Sequence, residues 1–240
     1  MPAFGSGNFL NSDLSKERRH SAFTSTVQDS FIDAGVVAIT SDNTPNAYGC
    51  DDSLDKHYKY AGFSGTIDNS FTAANNNLGI TWDGGDKSTA STLRYYTADN
   101  ANTKIKKFSG FVSTVADSIV RDSFWDVTFD EADLYGADFT GTTQLVRMSA
   151  FTTTVKNSFA SPGASPRGIS IQAANLLSTN AGTNPKEAAF EHSAFSSTIK
   201  SSFTTLSYHG SEWDDFTART TFSAAGAAST SFRLLIMGVG

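Results

Sequence analysis

The sequence predicts an all-β fold, a tandem-repeat body of five β units each roughly 44 residues long. Three observations carry that prediction. The first is a phrase that occurs five times: an aromatic, two mostly small residues, Thr, Val or Ile, two polar or small residues, Ser, then Phe or Ile. It spans Phe23–Phe31, Phe63–Phe71, Phe111–Ile119, Phe151–Phe159 and Phe195–Phe203, with steps of 40, 48, 40 and 44 residues. Periods of that length belong to supersecondary units stacked into one array. The second is composition. Nineteen Phe, abundant Thr and Ser, 18% charged residues and only 5 Pro describe a β-forming, turn-rich chain that is not disordered. The third is a set of short segments alternating with period two, as half-buried strands do.

Taken in order, each unit begins with a charged segment of strand character. These are Glu17–His20, His57–Tyr60, Lys104–Phe108, Gln144–Met148 and Ala189–His192. A pair of small residues leads into the key Phe. The phrase then places apolar residues at i, i+4 and i+8, which suits a helical stripe or one face of a strand. Thr, Val, Ile, Phe and Ser are weak helix formers, so composition favours strands. The central pairs Gln28-Asp29, Asp68-Asn69, Ala116-Asp117, Lys156-Asn157 and Lys200-Ser201 read as a tight corner between two strands.

A further strand follows at Gly35–Thr40, Leu78–Trp82, Trp125–Phe129 and Gly168–Ile171. Loops rich in Gly, Asn, Asp and Pro complete each unit and absorb the differences in length.

The expected organisation is an N-terminal arm over 1–16, a five-repeat domain over 17–230 and an extra strand over 231–240. Units start near 17, 57, 104, 144 and 189. Ser231–Gly240 resembles the segment Arg147–Phe151, a sixth copy of the first strand with no phrase after it. Because the first unit already owns Glu17–His20, this addition favours an open β-solenoid or layered sheets over a five-bladed propeller. Two local resemblances point the same way. Gly65-Thr-Ile-Asp-Asn-Ser-Phe71 resembles the core of GLUG repeats, which occur in β-solenoid adhesins. Phe129-Asp-Glu-Ala-Asp-Leu-Tyr-Gly-Ala-Asp-Phe139 is similar to two coils of pentapeptide-repeat β-helices.

Several function classes are disfavoured. A net charge of −6 offers no basic stripe, so nucleic acid is not an expected partner. No apolar run reaches membrane-spanning length, and no basic-then-apolar leader precedes the first strand, so neither a membrane nor ordinary export is expected. The single Cys50 cannot form an internal disulfide and reads as a small buried or loop thiol. His20, His57, His192 and His209 lack metal-site spacing, and His20 and His192 share one repeat position, read here as surface. No P-loop, dinucleotide fingerprint or nucleophile elbow occurs, and neither catalytic residues nor cofactors are expected. The acidic stretches Cys50–Asp55 and Asp130–Asp133 lack the spaced ligands of a calcium loop and read as solvated surface, so no metal is expected.

All three tryptophans precede an aspartate: Trp82-Asp83, Trp125-Asp126 and Trp213-Asp214. A ring beside a carboxylate suits a sugar, whose face stacks while its hydroxyls donate. A multivalent carbohydrate-binding protein, lectin-like or adhesive toward cell-surface glycans, is therefore the alternative function. The leading expectation is a non-enzymatic structural protein of a virus particle, a bacteriophage capsid-decoration, cement or tail-associated protein made in a host cytoplasm. Its expected partners are itself, as a homo-oligomer, and other virion proteins. The expected assembly strand carries Phe232, Leu234, Leu235, Ile236, Met237 and Val239, which would add to a neighbouring sheet.

Overall fold

A computed structural model describes residues 8–12, 16–20, 27–33, 35–41, 46–73, 77–82, 94–121, 124–130, 132–139, 143–163, 165–172, 175–183, 186–204 and 210–214. Within them lie strands β1(Asn8–Ser12), β2(Lys16–His20), β3(Val27–Ile32), β4(Val36–Ser41), β5(Ala47–Asp51), β6(Lys56–Tyr60) and β7(Ile67–Thr72). Then come β8(Asn77–Trp82), β9(Arg94–Asp99), β10(Lys104–Ser109), β11(Val115–Val120), β12(Phe124–Phe129), β13(Asp133–Asp138), β14(Gln144–Ser149) and β15(Val155–Ala160). The last five are β16(Pro166–Gln172), β17(Asn175–Thr183), β18(Lys186–His192), β19(Ile199–Thr204) and β20(Gly210–Asp214). Among the described residues no helix is long and apolar enough to cross a membrane.

The strands form five four-stranded antiparallel sheets, ordered β20-β1-β2-β3, β4-β5-β6-β7, β8-β9-β10-β11, β12-β13-β14-β15 and β16-β17-β18-β19. The first strand of each sheet touches its counterpart in the next: β4 meets β8, β8 meets β12, β12 meets β16, β16 meets β20, and β20 meets β4. The sheets thus stand around a ring, the plan of a β-propeller. This corrects the preference for an open array. The units read from sequence began at β2, β6, β10, β14 and β18, so each unit combined the outer half of one sheet with the inner half of the next. In that frame the first unit looks complete. In the true frame the first sheet lacks its innermost strand, and β20 supplies it in the register Asn8↔Asp214 through Ser12↔Gly210. Residues 8–12, read as arm, are the second strand of that sheet. Residues 231–240 lie outside the described residues.

Burial falls from the axis outward. In the second sheet β4 and β5 are buried throughout, β6 keeps two residues half-buried, and β7 is exposed except for Phe71. Inner strands are flanked by sheets on both faces and so carry apolar residues on both, which is why Val36–Ser41 is not the half-buried strand expected. The core consequently lies between sheets. One cluster joins Leu10 to Val36, Ile39, Tyr58 and Tyr60, and the next joins Val37 and Tyr48 to Ile80, Trp82, Tyr95 and Phe108. Two more repeat the plan around Phe124 and Leu134, and around Ile169 and Leu176.

The repeated phrase rivets adjacent sheets. Its last aromatic points in from an outer strand and meets the key Phe of the following sheet: Phe31 with Phe63 at 5.0 Å, Phe71 with Phe111 at 4.8 Å and Phe159 with Phe195 at 5.0 Å. Ile119 and Phe151 pack into one cluster in the same way.

The corner lies earlier in the phrase than the sequence indicated. Ala61, Ser149 and Ser193 N–H groups each donate to the carbonyl of Thr66, Thr154 or Thr198 at 2.9 Å. Within those loops the hydroxyls of Ser64, Thr152 and Ser196 donate back to the carbonyls of Ala61, Ser149 and Ser193 at 2.6–2.8 Å. The central Asp/Asn pairs sit instead in the outer strands. There the side-chain oxygens of Asn69, Asp117 and Asn157 each accept from the next Ser N–H at 2.8 Å. Turn-type side chains thus cover the free backbone of an edge, a device against unwanted strand pairing.

Just before the key Phe the chain enters the left-handed region, at Gly62, Gly110, Ala150 and Ala194 with φ of 73°, 83°, 49° and 53°. The two alanines carry a steric cost that glycine avoids. Ala150→Gly and Ala194→Gly are each expected to stabilise the protein by about 0.5–1 kcal/mol, after the entropy glycine loses on folding. Urea unfolding of the two variants checks this.

Candidate functional site

Strand register decides which residues are equivalent around the ring. Trp82 pairs through Tyr95 and Phe108 to Val115, and Trp213 pairs through Phe9 and His20 to Val27. Those two tryptophans therefore hold the same position. Trp125 does not. It is the extra residue of a bulge between Phe124 and Asp126, and the true counterpart of Trp82 in that strand is Phe129. The three Trp-Asp pairs are not a repeated site.

Their surroundings differ accordingly. Trp82 is 3% exposed, with Tyr48 and Tyr95 at 4.8 and 5.3 Å, and forms core rather than a sugar platform. Asp83 lies outside the described residues, as do the side chains of Trp213 and Asp214. Trp125 is half-buried, with the Arg167 guanidinium 3.4 Å from its ring centre and Phe139 edge-on at 5.2 Å. Burial lowers the Arg167 pKa from its usual value. Asp126 is 2% exposed and bridges two sheets, accepting from its neighbour Val127 N–H at 2.9 Å and from Ile169 N–H at 3.0 Å. Sequence reasoning read it as a ligand group. Its counterparts in three other inner strands, Ala38, Gly79 and Gly168, show that it occupies a small-residue position facing the next inner strand.

Asp51 and Asp133 of the two acidic stretches are turned inward rather than solvated as expected. Asp51 is buried and accepts from the N–H groups of Ser53 and Leu54 at 2.9 and 3.0 Å, capping the β5–β6 hairpin. Asp130 does the same for Ala132 and Asp133 at 3.1 and 2.7 Å. The stretch likened to pentapeptide coils is thus the β12–β13 hairpin. Asp133 is buried, with Arg147 and Lys156 each 2.6 Å away. Burial opposes its charge, but the hydrogen bonds from Lys156 and Arg147 outweigh that and hold its pKa below the usual value. Among the described residues no cluster of three or more His, Cys, Asp or Glu is placed to hold a metal ion.

The two histidines whose side chains are described, His57 and His192, are interior groups. His57 is buried, stacked on Phe71 at 4.9 Å and bonded through Nδ1 to the Tyr95 hydroxyl. His192, read from sequence as surface, is fully buried with Nε2 2.8 Å from the Ser178 hydroxyl. Burial pushes its pKa from 6.5 down to about 4. Between those values the unfolded chain binds a proton that the folded chain refuses, so stability falls as pH drops. The loss is expected to reach up to about 3 kcal/mol by pH 4. His192→Met, which copies Met148 at the same register, is expected to flatten that slope in urea melts across the window. Cys50 is free and buried, and burial raises its pKa well above the ordinary value, which makes it an inert packing group.

One concave site combines aromatic and charged groups. It lies between the fourth and fifth sheets, has a volume of about 140 Å³, and is lined by Asp130, Tyr135, Arg147, Ile171, Asn175 and Phe195 among others. Tyr135 and Phe195 stand 5.4 Å apart at 56°. The Arg147 guanidinium lies 5.6 Å from the Tyr135 ring, and the Tyr135 hydroxyl donates to Asp130 at 2.6 Å. Burial and that carboxylate raise the Tyr135 pKa. No motif groups these residues in the sequence, although Phe195 opens the fifth copy of the phrase; they converge only through register.

No family model matches the chain, and no curated protein does. Among solved structures it is similar to hydrazine synthase of Kuenenia stuttgartiensis, with a TM-score of 0.51, 10% identity and 71% of this chain covered. The chain spans about half the length of that protein, 49%. It is also similar to the Pan2 WD40 domain of Neurospora crassa, with a TM-score of 0.49, 10% identity, 78% of this chain and 60% of that one covered. The likeness to hydrazine synthase is one of fold alone.

Proposed function

We propose that this protein is a non-enzymatic structural component of a virus particle, a bacteriophage decoration or tail-associated protein, working as a homo-oligomer. One observation carries the reading: among the described residues the rim presents a regularly repeated surface. Val27, Ile67, Val115, Val155 and Ile199 occupy one register position on the five outer strands and are 43–50% exposed. The Thr before each of the last four, and the Ser three residues after, are exposed too. The core needs none of these residues, so their repetition calls for another cause. A lateral protein contact met in several copies supplies one. Because Asn69, Asp117 and Asn157 cover their own edge backbone, that contact works through side chains more than through strand addition.

Light scattering of the wild type and of a variant with Ile67, Val115, Val155 and Ile199 each changed to Lys tests the reading. The wild type is expected as an oligomer and the variant as a folded monomer. Immunogold labelling of purified particles from the native source is expected to mark their surface. A wild type that stays monomeric, and particles without label, would sink the proposal. Removing 232–240 separates the contributions. Loss of the oligomer would place assembly in that segment, and retention would leave it to the rim.

A further inference from the structure

We infer that the cleft between the fourth and fifth sheets binds a single sugar ring, most simply the terminal residue of a glycan. The reasoning starts from what fills the equivalent space elsewhere. Three consecutive inter-sheet positions share a tyrosine from one sheet and the key Phe of the next: Tyr48 with Phe111 at 5.2 Å, Tyr96 with Phe151 at 5.5 Å, and Tyr135 with Phe195 at 5.4 Å. In the first two a large aromatic at the end of the inner strand plugs the gap. Trp82 lies edge-on to Tyr48 at 4.8 Å, and Phe129 stacks on Tyr96 at 5.0 Å. The third position has Ile171 in that register. The smaller side chain leaves the cleft of about 140 Å³ open.

The lining specifies the ligand class. Phe195, half-buried, offers aromatic surface to the C–H face of a pyranose, with the buried Tyr135 ring packed against it. Asp130 already accepts from two backbone N–H groups and the Tyr135 hydroxyl and keeps a lone pair on its outer oxygen for a sugar hydroxyl, and the Asn175 amide, bonded to Glu191 and Lys200, keeps one N–H and one lone pair. Arg147, another lining residue, is held in place by Asp133, with Nε at 2.7 Å and Nη2 at 2.6 Å, and its other N–H groups are further donors. A phosphate or carboxylate ligand would face Asp130, and a hydrocarbon would leave unused the hydrogen-bonding capacity that Asp130, Arg147 and Asn175 keep beyond their partners within the protein. A neutral polyhydroxylated ring satisfies all of them. This site differs from the Trp-Asp pairs and does not depend on the assembly reading.

The test uses the full chain and a glycan array, followed by saturation-transfer NMR with free glucose, galactose, mannose and their N-acetyl amines at millimolar concentration. Ile171→Trp restores the plug found at Trp82, and Asp130→Asn removes the acceptor charge while keeping its shape. At least one sugar is expected to bind the wild type, with affinity reduced about tenfold or more in Ile171→Trp at an unchanged melting temperature. Asp130→Asn is expected to weaken the same sugar and guards against misfolding of the Trp variant. Absence of binding to every sugar, or binding that neither variant diminishes, would overturn the inference.

Discussion

Truncation after Thr204 is expected to leave no folded monomer. The deletion removes β20, which pairs with β1 and packs between β16 and β4. Without it the core shared by Leu10, Val36 and Ile39 loses the inner strand beside it, and β1 becomes an unprotected edge. The loss exceeds about 5 kcal/mol, the lower end of what a whole domain has in reserve. The truncated chain is expected to show no cooperative thermal transition and to aggregate. Truncation after Ser231 leaves the ring strands intact and is expected to melt within about 2 °C of the wild type.

The second large effect belongs to Gly79. A Cβ there would stand 2.5 Å from the Asp126 Cα and 3.0 Å from the Trp125 carbonyl oxygen, and backbone cannot swing aside as a side chain can. β8 and β12 approach this closely because both are inner strands of the ring. Gly79→Val is expected to cost about 3 kcal/mol or more, the upper range for overpacking. For a chain of this size that lowers the melting temperature by roughly 6–12 °C. Gly65→Val, whose Cβ meets nothing nearer than 3.6 Å, serves as the control and is expected to have little effect.

What the sequence made legible was the repeat and most of its strands. Phe, Thr, Val and Ile at fixed spacing report the demands of packing, and β2, β6, β10, β14 and β18 lie where those residues place them. The closure was hidden for a physical reason. Gly210-Ser-Glu-Trp-Asp214 has no apolar alternation, because a five-residue strand between two sheets is set by its neighbours more than by its own pattern. The outer strands misled in the other direction. Val115 and Val155 look like core residues yet lie on the rim, since hydrophobicity alone does not say which strand of a sheet is outermost.

The candidate site was less legible still. Trp125 looked equivalent to Trp82 because both precede Asp, but one bulge residue shifts the register and sends the two rings to different surroundings. Ile171 is unremarkable in sequence. It becomes informative once pairing aligns it with Trp82 and Phe129, because only then does its small size predict a vacancy.

The closed ring underlies every other statement about this molecule, and a cross-link tests it most directly. Asn11 and Ser211 face each other across β1 and β20, at a separation an antiparallel pair makes compatible with a disulfide. Cys50, being buried, does not compete. In the Asn11→Cys, Ser211→Cys double variant, mild oxidation is expected to produce a monomer with one internal disulfide, seen as faster migration on non-reducing gels and confirmed by peptide mass. Failure to cross-link, or formation only of disulfide-linked multimers, would contradict a ring closed within one chain.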